Sequence, residues 1–164
     1  MARATTIAQL RHLQRGNDMK KLGLAVTVCG VLATGAAWAA DDAMAPVNQF
    51  IDGVNAGDVK KAAAAHMPGS PIIDEFAPHH WNSFGAWLKG FMADSKKNKV
   101  TDAHLTLAAP TTSTVGPKEA YEVVPNTIDA KVDGKPMQEK GIFTFALVKT
   151  RQGWRIASWA WAKQ

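Results

Sequence analysis

The chain has 164 residues, 46% of them hydrophobic, with 19 Lys+Arg against 14 Asp+Glu and one cysteine. Five of the basic residues (Arg3, Arg11, Arg15, Lys20, Lys21) but only one acid, Asp18, fall within residues 1–39. The remainder is therefore near neutral, with no basic face to neutralise phosphates, and this excludes nucleic acid as a partner.

The segment Lys20-Lys21, the uncharged run Leu22 to Ala37 and the small-x-small pattern Ala37-Trp38-Ala39 read as an export signal cleaved after Ala39. A membrane span needs about 20 apolar residues, and this Gly- and Ala-rich run is shorter and stops at Asp41-Asp42. No membrane association is expected once the signal is removed. Cys29 lies mid-run after Val28, a poor setting for lipid attachment. Met19-Lys20-Lys21 resembles the start of such a signal, which makes Met1 to Asp18 a start-site extension. The expected product is a periplasmic or secreted domain, residues 40–164. Without cysteine it has no disulfide, and about 125 residues are enough for burial alone to stabilise it.

Within that domain Pro46 suits a first helical turn. Val47, Phe50, Ile51 and Val54 follow at i, i+3, i+4 and i+7, predicting a helix that ends near Gly57. Asp58 predicts the cap of a short Ala-rich second helix, ended by Met67-Pro68-Gly69. Pro71 to Phe76 reads as extended. Pro78-His79-His80-Trp81 then turns the chain into a third helix carrying Phe84, Trp87, Leu88 and Phe91 at helical spacing. Lys96, Lys97 and Lys99 complement its negative end.

From Thr101 the signals are those of strands. His104 to Leu107 and Ser113 to Val115 predict short ones. Ala120 to Val132 predicts a long one, in which Pro125 marks a bulge or edge. Asp133-Gly134 predicts a tight hairpin. Met137 to Lys149 returns, Gln152-Gly153 turns, and Trp154 to Lys163 ends the chain. Along that last strand simple alternation puts Trp159 and Trp161 on one face and Ile156, Ser158 and Ala160 on the other. Helices followed by an antiparallel meander make an α+β domain with the helices on one face of the sheet.

The paired opening helices, the Ile-Ile-Asp segment before an aromatic helix, and the ending Gly153-Trp154-Arg155-Ile156-Ala157-Ser158-Trp159-Ala160-Trp161 resemble the nuclear-transport-factor-two-like, or SnoaL-like, superfamily over about Ala45 to Gln164. The resemblance implies a cone: a curved antiparallel sheet wraps three helices and leaves a pocket at its open end. It implies no single function, because isomerases, cyclases, dehydratases and transport factors share the fold.

Asp74 is the first candidate for chemistry, since the isomerases resembled here use an acid as general base in an apolar cone, where burial raises a carboxyl pKa. Its alternative role is structural, accepting backbone hydrogen bonds before the third helix. Glu75 should point the other way and be solvated. His80 is a candidate hydrogen-bonder or proton shuttle. Tyr121 parallels the isomerases' substrate-polarising tyrosine, with ordinary packing as the alternative. Asn126 and Asp129, three apart on one strand, should face opposite sides.

Trp81, Phe84, Trp87, Trp159 and Trp161 are either core or the wall of a pocket for a flat apolar ligand. The adjacent His79 and His80 diverge, no His-x-His pair exists and the domain lacks cysteine, so no metal is expected. Nor is any other cofactor. No phosphate-binding Gly-rich loop or nucleophile elbow is present. Three readings remain: binding of a small apolar or aromatic molecule, a cofactor-free isomerase or lyase using Asp74 with His80 or Tyr121, and an interaction domain that forms a homodimer through its exposed sheet face.

Overall fold

A computed structural model describes residues 42–164; the expected export signal, its expected cleavage site and Cys29 lie outside the described residues. Helix α1 (Ala45–Asn55) carries Pro46 in its first turn and buries Val47, Phe50 and Ile51, as the 3.6-residue spacing predicts. Asp58 caps α2 (Val59–Ala64) by accepting from the Lys61 backbone N–H at 2.9 Å. Strands β1 (Ile72–Ile73) and β2 (His80–Trp81) follow, then α3 (Phe84–Lys97), capped by the Ser83 hydroxyl. The rest is sheet: β3 (Val100–Leu107), β4 (Thr112–Val115), β5 (Glu119–Val132), β6 (Lys135–Thr150) and β7 (Gly153–Lys163). No helix of the described residues is long and apolar enough to cross a membrane.

The seven strands form one sheet in the order β2-β1-β7-β6-β5-β3, with β4 also on β5. The architecture is the expected α+β cone of a curved sheet around helices. Its ladders are antiparallel with one exception: β1 runs parallel to β7, pairing Ile72 with Trp159. That pairing anchors the segment leading to Asp74 beside the last strand. Between β5 and β6, Asp133 and Gly134 both take positive φ (50° and 76°), the conformation a two-residue hairpin turn requires.

Three local expectations are corrected or, for Pro125, narrowed to the edge alternative. Pro125 produces no bulge, because the β5–β6 ladder runs unbroken from Glu119 to Val132. Its missing N–H instead faces the connection between β3 and β4, where only its carbonyl is used, accepting from the Ala108 N–H at 2.8 Å. The strand predicted from His104 begins at Val100, passing an irregularity at Asp102, whose φ is 53°.

The third correction concerns β7. Leu147 pairs with Ile156 and Ala146 with Ser158, leaving Ala157 as an extra, bulged residue. The bulge resets the alternation, so Trp154 and Ile156 are buried on the same side as Trp159 and Trp161 rather than opposite them.

The core lies between the helices and the inner face of the sheet. Phe50 is at its centre, stacked on Trp159 at 5.7 Å between ring centroids and edge-on to His66, Phe84, Trp87 and Phe143.

Candidate functional site

The inner face of the sheet and the helices enclose a cavity of about 190 Å³. Its apolar walls come from α1 (Phe50, Ile51, Val54), α3 (Trp87, Phe91) and the sheet (Phe143, Trp159, Trp161). Trp87 and Phe91, four apart on α3, stack at 5.1 Å, and Trp87 meets Trp159 edge-on at the same separation.

Asp74 opens into this cavity from the end of β1 and is 9% exposed. The Trp87 indole N–H donates to its Oδ2 at 2.7 Å, and the Glu75 backbone N–H donates to Oδ1 at 2.7 Å. Burial pushes the Asp74 carboxyl above its ordinary value. The two hydrogen bonds hold it back, and the nearby Asp94 adds a smaller upward push. Asp74 thus combines the structural role considered for it, bonding both backbone and α3, with a position on the cavity wall.

Of the residues singled out in the sequence, the structure brings Asp74, Trp87, Trp159 and Trp161 to one cavity. Trp161 is oriented by its indole N–H, which donates to Asn126 Oδ1 at 3.1 Å. Asn126 faces in and Asp129 faces out, held there by the Gln138 amide.

Phe84 belongs to the core instead, stacked on His66 at 4.6 Å. Trp81 packs on Phe76 at 5.2 Å and is not part of the cavity wall.

His80 and Tyr121 are not brought to Asp74. His80 pairs with Ile73, the outward-facing residue of β1, and Tyr121 is an outward residue of β5, 45% exposed. Both border a groove of about 430 Å³ on the outer face of the sheet, with Pro71, Ile73, Ser158 and Ala160. Strand alternation places them across the sheet from the carboxylate they were to assist.

Five further polar residues border the inner cavity without having been put forward as site candidates: Asn55, Asp94, Ser95, His104 and Glu139. Asn55 is occupied structurally, donating to the Leu105 carbonyl at 2.8 Å and accepting from the Leu105 N–H at 2.9 Å, which ties α1 to β3. Glu75 joins them, although simple alternation predicts it on the other side. Past Ile73 the chain turns rather than remaining extended, and Glu75 reaches the mouth of the same cavity.

Two of these residues were legible in principle. Asp94 is seven residues after Trp87 and three after Phe91, hence on their helix face. Glu139 shares the odd-numbered inner face of β6 with Phe143 and Phe145. Burial raises the Glu75 carboxyl, with Coulombic repulsion from Glu139, Asp74 and Asp94 adding to it and Lys163 opposing.

Comparisons with known proteins agree with this architecture. The family model of the SnoaL-like domain matches residues 44–161. No curated protein matches. Among solved structures, a nuclear transport factor 2 (NTF2-like) superfamily protein from Salmonella enterica serovar Typhimurium superposes with a TM-score of 0.61 at 16% identity, over 72% of this chain and 85% of that one. A ketosteroid isomerase-like protein from Erwinia carotovora atroseptica gives 0.60 at 13% identity, over 74% and 92%. A CaMKII hub from S. rosetta gives 0.62 at 16%, over 81% and 100%. Identities this low speak to fold alone, but with the family match over most of its described length, the chain belongs to the SnoaL-like family.

Proposed function

We propose that this SnoaL-like domain binds a small apolar or aromatic molecule in the inner cavity, with Asp74 as its polar anchor. The observation that carries the reading is one arrangement. A buried carboxylate, held by the Trp87 indole at 2.7 Å, opens into a space otherwise walled by aromatic and aliphatic side chains. Size narrows the ligand. A cavity of about 150 Å³ accommodates benzene, so one of about 190 Å³ suits a single ring with a short substituent and is too small to enclose a four-ring steroid.

The Asp74→Asn variant tests this. The side chains are nearly equal in size, so folding is expected to persist, and ligand affinity should change by about 1 to 3 kcal/mol, the worth of one altered hydrogen bond to a charged group. Titration calorimetry with single-ring compounds measures it. A large fall in melting temperature, with no difference in ligand affinity, would show that Asp74 serves only the fold.

A second reading, acid–base catalysis by an isomerase or lyase, is favoured by one specific observation: burial raises the carboxyl that faces the cavity. It would have to work without His80 and Tyr121, which lie across the sheet. Asp74→Asn should then abolish turnover while ligand still binds.

The protein is further proposed to act in the periplasm or outside the cell. Its exported form is expected to begin at Ala40, and intact-mass measurement checks this. Retention of residues 20–38 in the exported protein would refute it. The outer-face groove, with Ile73 55% and Tyr121 45% exposed, supports a homodimer formed through the sheet. Light scattering at micromolar concentration is expected to give twice the monomer mass.

A further inference from the structure

We propose that the occupant of the inner cavity is an organic cation, an ammonium group carried on a single apolar or aromatic ring. The inference rests on the binding function proposed above and names the chemical class of its ligand.

Charge on the cavity wall has one sign. Asp74 and Glu75 reach it from the end of β1, Asp94 from α3 and Glu139 from β6, while no Lys or Arg is among the described residues that line it. Glu139 is paired with Lys163 of β7 at 3.1 Å, outside the lining, which leaves Asp74, Glu75 and Asp94 without an ion-pair partner of their own among the described residues. His104, from β3, is the remaining ionisable group facing this space.

These acids are not arranged for a metal. Among the described residues no group of three or more His, Cys, Asp or Glu side chains could hold a metal ion. They are spread around an aromatic enclosure rather than converging on a point. Aromatic rings bear negative charge on their faces, and a cation within about 6 Å of a ring centroid is attracted to it, more strongly where water is excluded.

Trp87 and Trp159 line the same cavity as Asp74, whose Oδ2 is held by the Trp87 indole N–H. Carboxylate and ring faces favour the same ligand charge, and a carboxylate ligand would meet repulsion from both. Burial is the main cause of the upward shifts of Asp74 and Glu75, and the smaller repulsion that Asp94 adds to both, with Asp74 and Glu139 adding to Glu75, is what a bound cation would relieve.

The test compares three molecules of nearly equal size in calorimetric titration of the full chain at low salt: 2-phenylethylammonium, neutral 2-phenylethanol and phenylacetate. The ammonium compound is expected to bind at least about tenfold more tightly than the alcohol, because charge-assisted contacts and ring faces act together. Phenylacetate is expected to bind more weakly than either.

Glu75→Gln and Asp94→Asn alter residues outside the packed core. Each should reduce the preference for ammonium over alcohol by about threefold. If alcohol and ammonium bind equally, the cationic assignment is overturned while the binding function stands. If none of the three binds, the binding function fails and the cationic assignment fails with it.

Discussion

Acidification from about pH 6.5 to about pH 4 is expected to remove about 3 kcal/mol of stability through His66 alone. His66 is 8% exposed, and both ring nitrogens are engaged. Nδ1 lies 2.9 Å from the Ala62 carbonyl, an acceptor, so it must carry the proton. Nε2 is then the lone pair that accepts from the Trp159 indole N–H at 3.1 Å.

A second proton can enter only at Nε2, where it would displace that bond and place a cation between Phe50 and Phe84. Burial accordingly lowers the pKa to about 4, with the Ala62 bond opposing. The folded value lies below the unfolded one, so the unfolded chain binds the proton first. Stability is full above about pH 6.5 and falls until the folded form also titrates near 4.

Asp74 and Glu75 act with the opposite sign, because their raised carboxyls take up protons in the folded state before the unfolded one. The net acid response is therefore smaller than the His66 contribution. An NMR titration of the His66 imidazole isolates it. A midpoint near 6.5 in the folded protein would overturn the prediction.

Gly53→Ala is expected to destabilise the domain by about 3 kcal/mol, in the upper range for inserting a methyl group into packed structure. Taken locally, the substitution should help, since alanine is favoured over glycine within a helix by about 1 kcal/mol. The tertiary setting decides otherwise.

A Cβ on Gly53 would meet the backbone N and Cα of Ala62 at 2.6 and 2.9 Å, and Ala62 is itself buried in α2. Backbone cannot rotate away as a side chain can, so α1 and α2 would have to separate. α1 carries Phe50, Ile51 and Val54, which wall the cavity, so ligand affinity should fall with stability.

Gly85 supplies the contrast. It lies in the first turn of α3, where a Cβ would have nothing within 4 Å, and Gly85→Ala should raise stability by a few tenths to about 1 kcal/mol. Thermal denaturation of the two variants checks the pair. Effects of the same sign would show that α1 and α2 do not approach so closely.

The features with local causes were readable from residue order alone. The apolar spacing of Val47, Phe50, Ile51 and Val54, the Asp58 cap, the Asp133-Gly134 turn and the aromatic face of α3 each follow from helix period, capping or turn geometry. With the C-terminal Gly-Trp-Arg-Ile pattern they were enough for fold and family, and four of the residues singled out, Asp74, Trp87, Trp159 and Trp161, line one cavity.

Which other groups share that cavity depends on how the elements pack. The bulge at Ala157 is set by the pairing of β7 with β6, and it brings Ile156 onto the face of Trp159. The parallel pairing of β1 with β7 and the turn after Ile73 bring Glu75 to the mouth beside Asp74, while His80 and Tyr121 remain on the outer face. Asp94 and Glu139 are 45 residues apart in the sequence and meet Asp74 only when helix and sheet close on one another. Periodicity assigns a side chain to a face of its own element, but the charge of a cavity is a sum over several elements, fixed by strand register and helix packing.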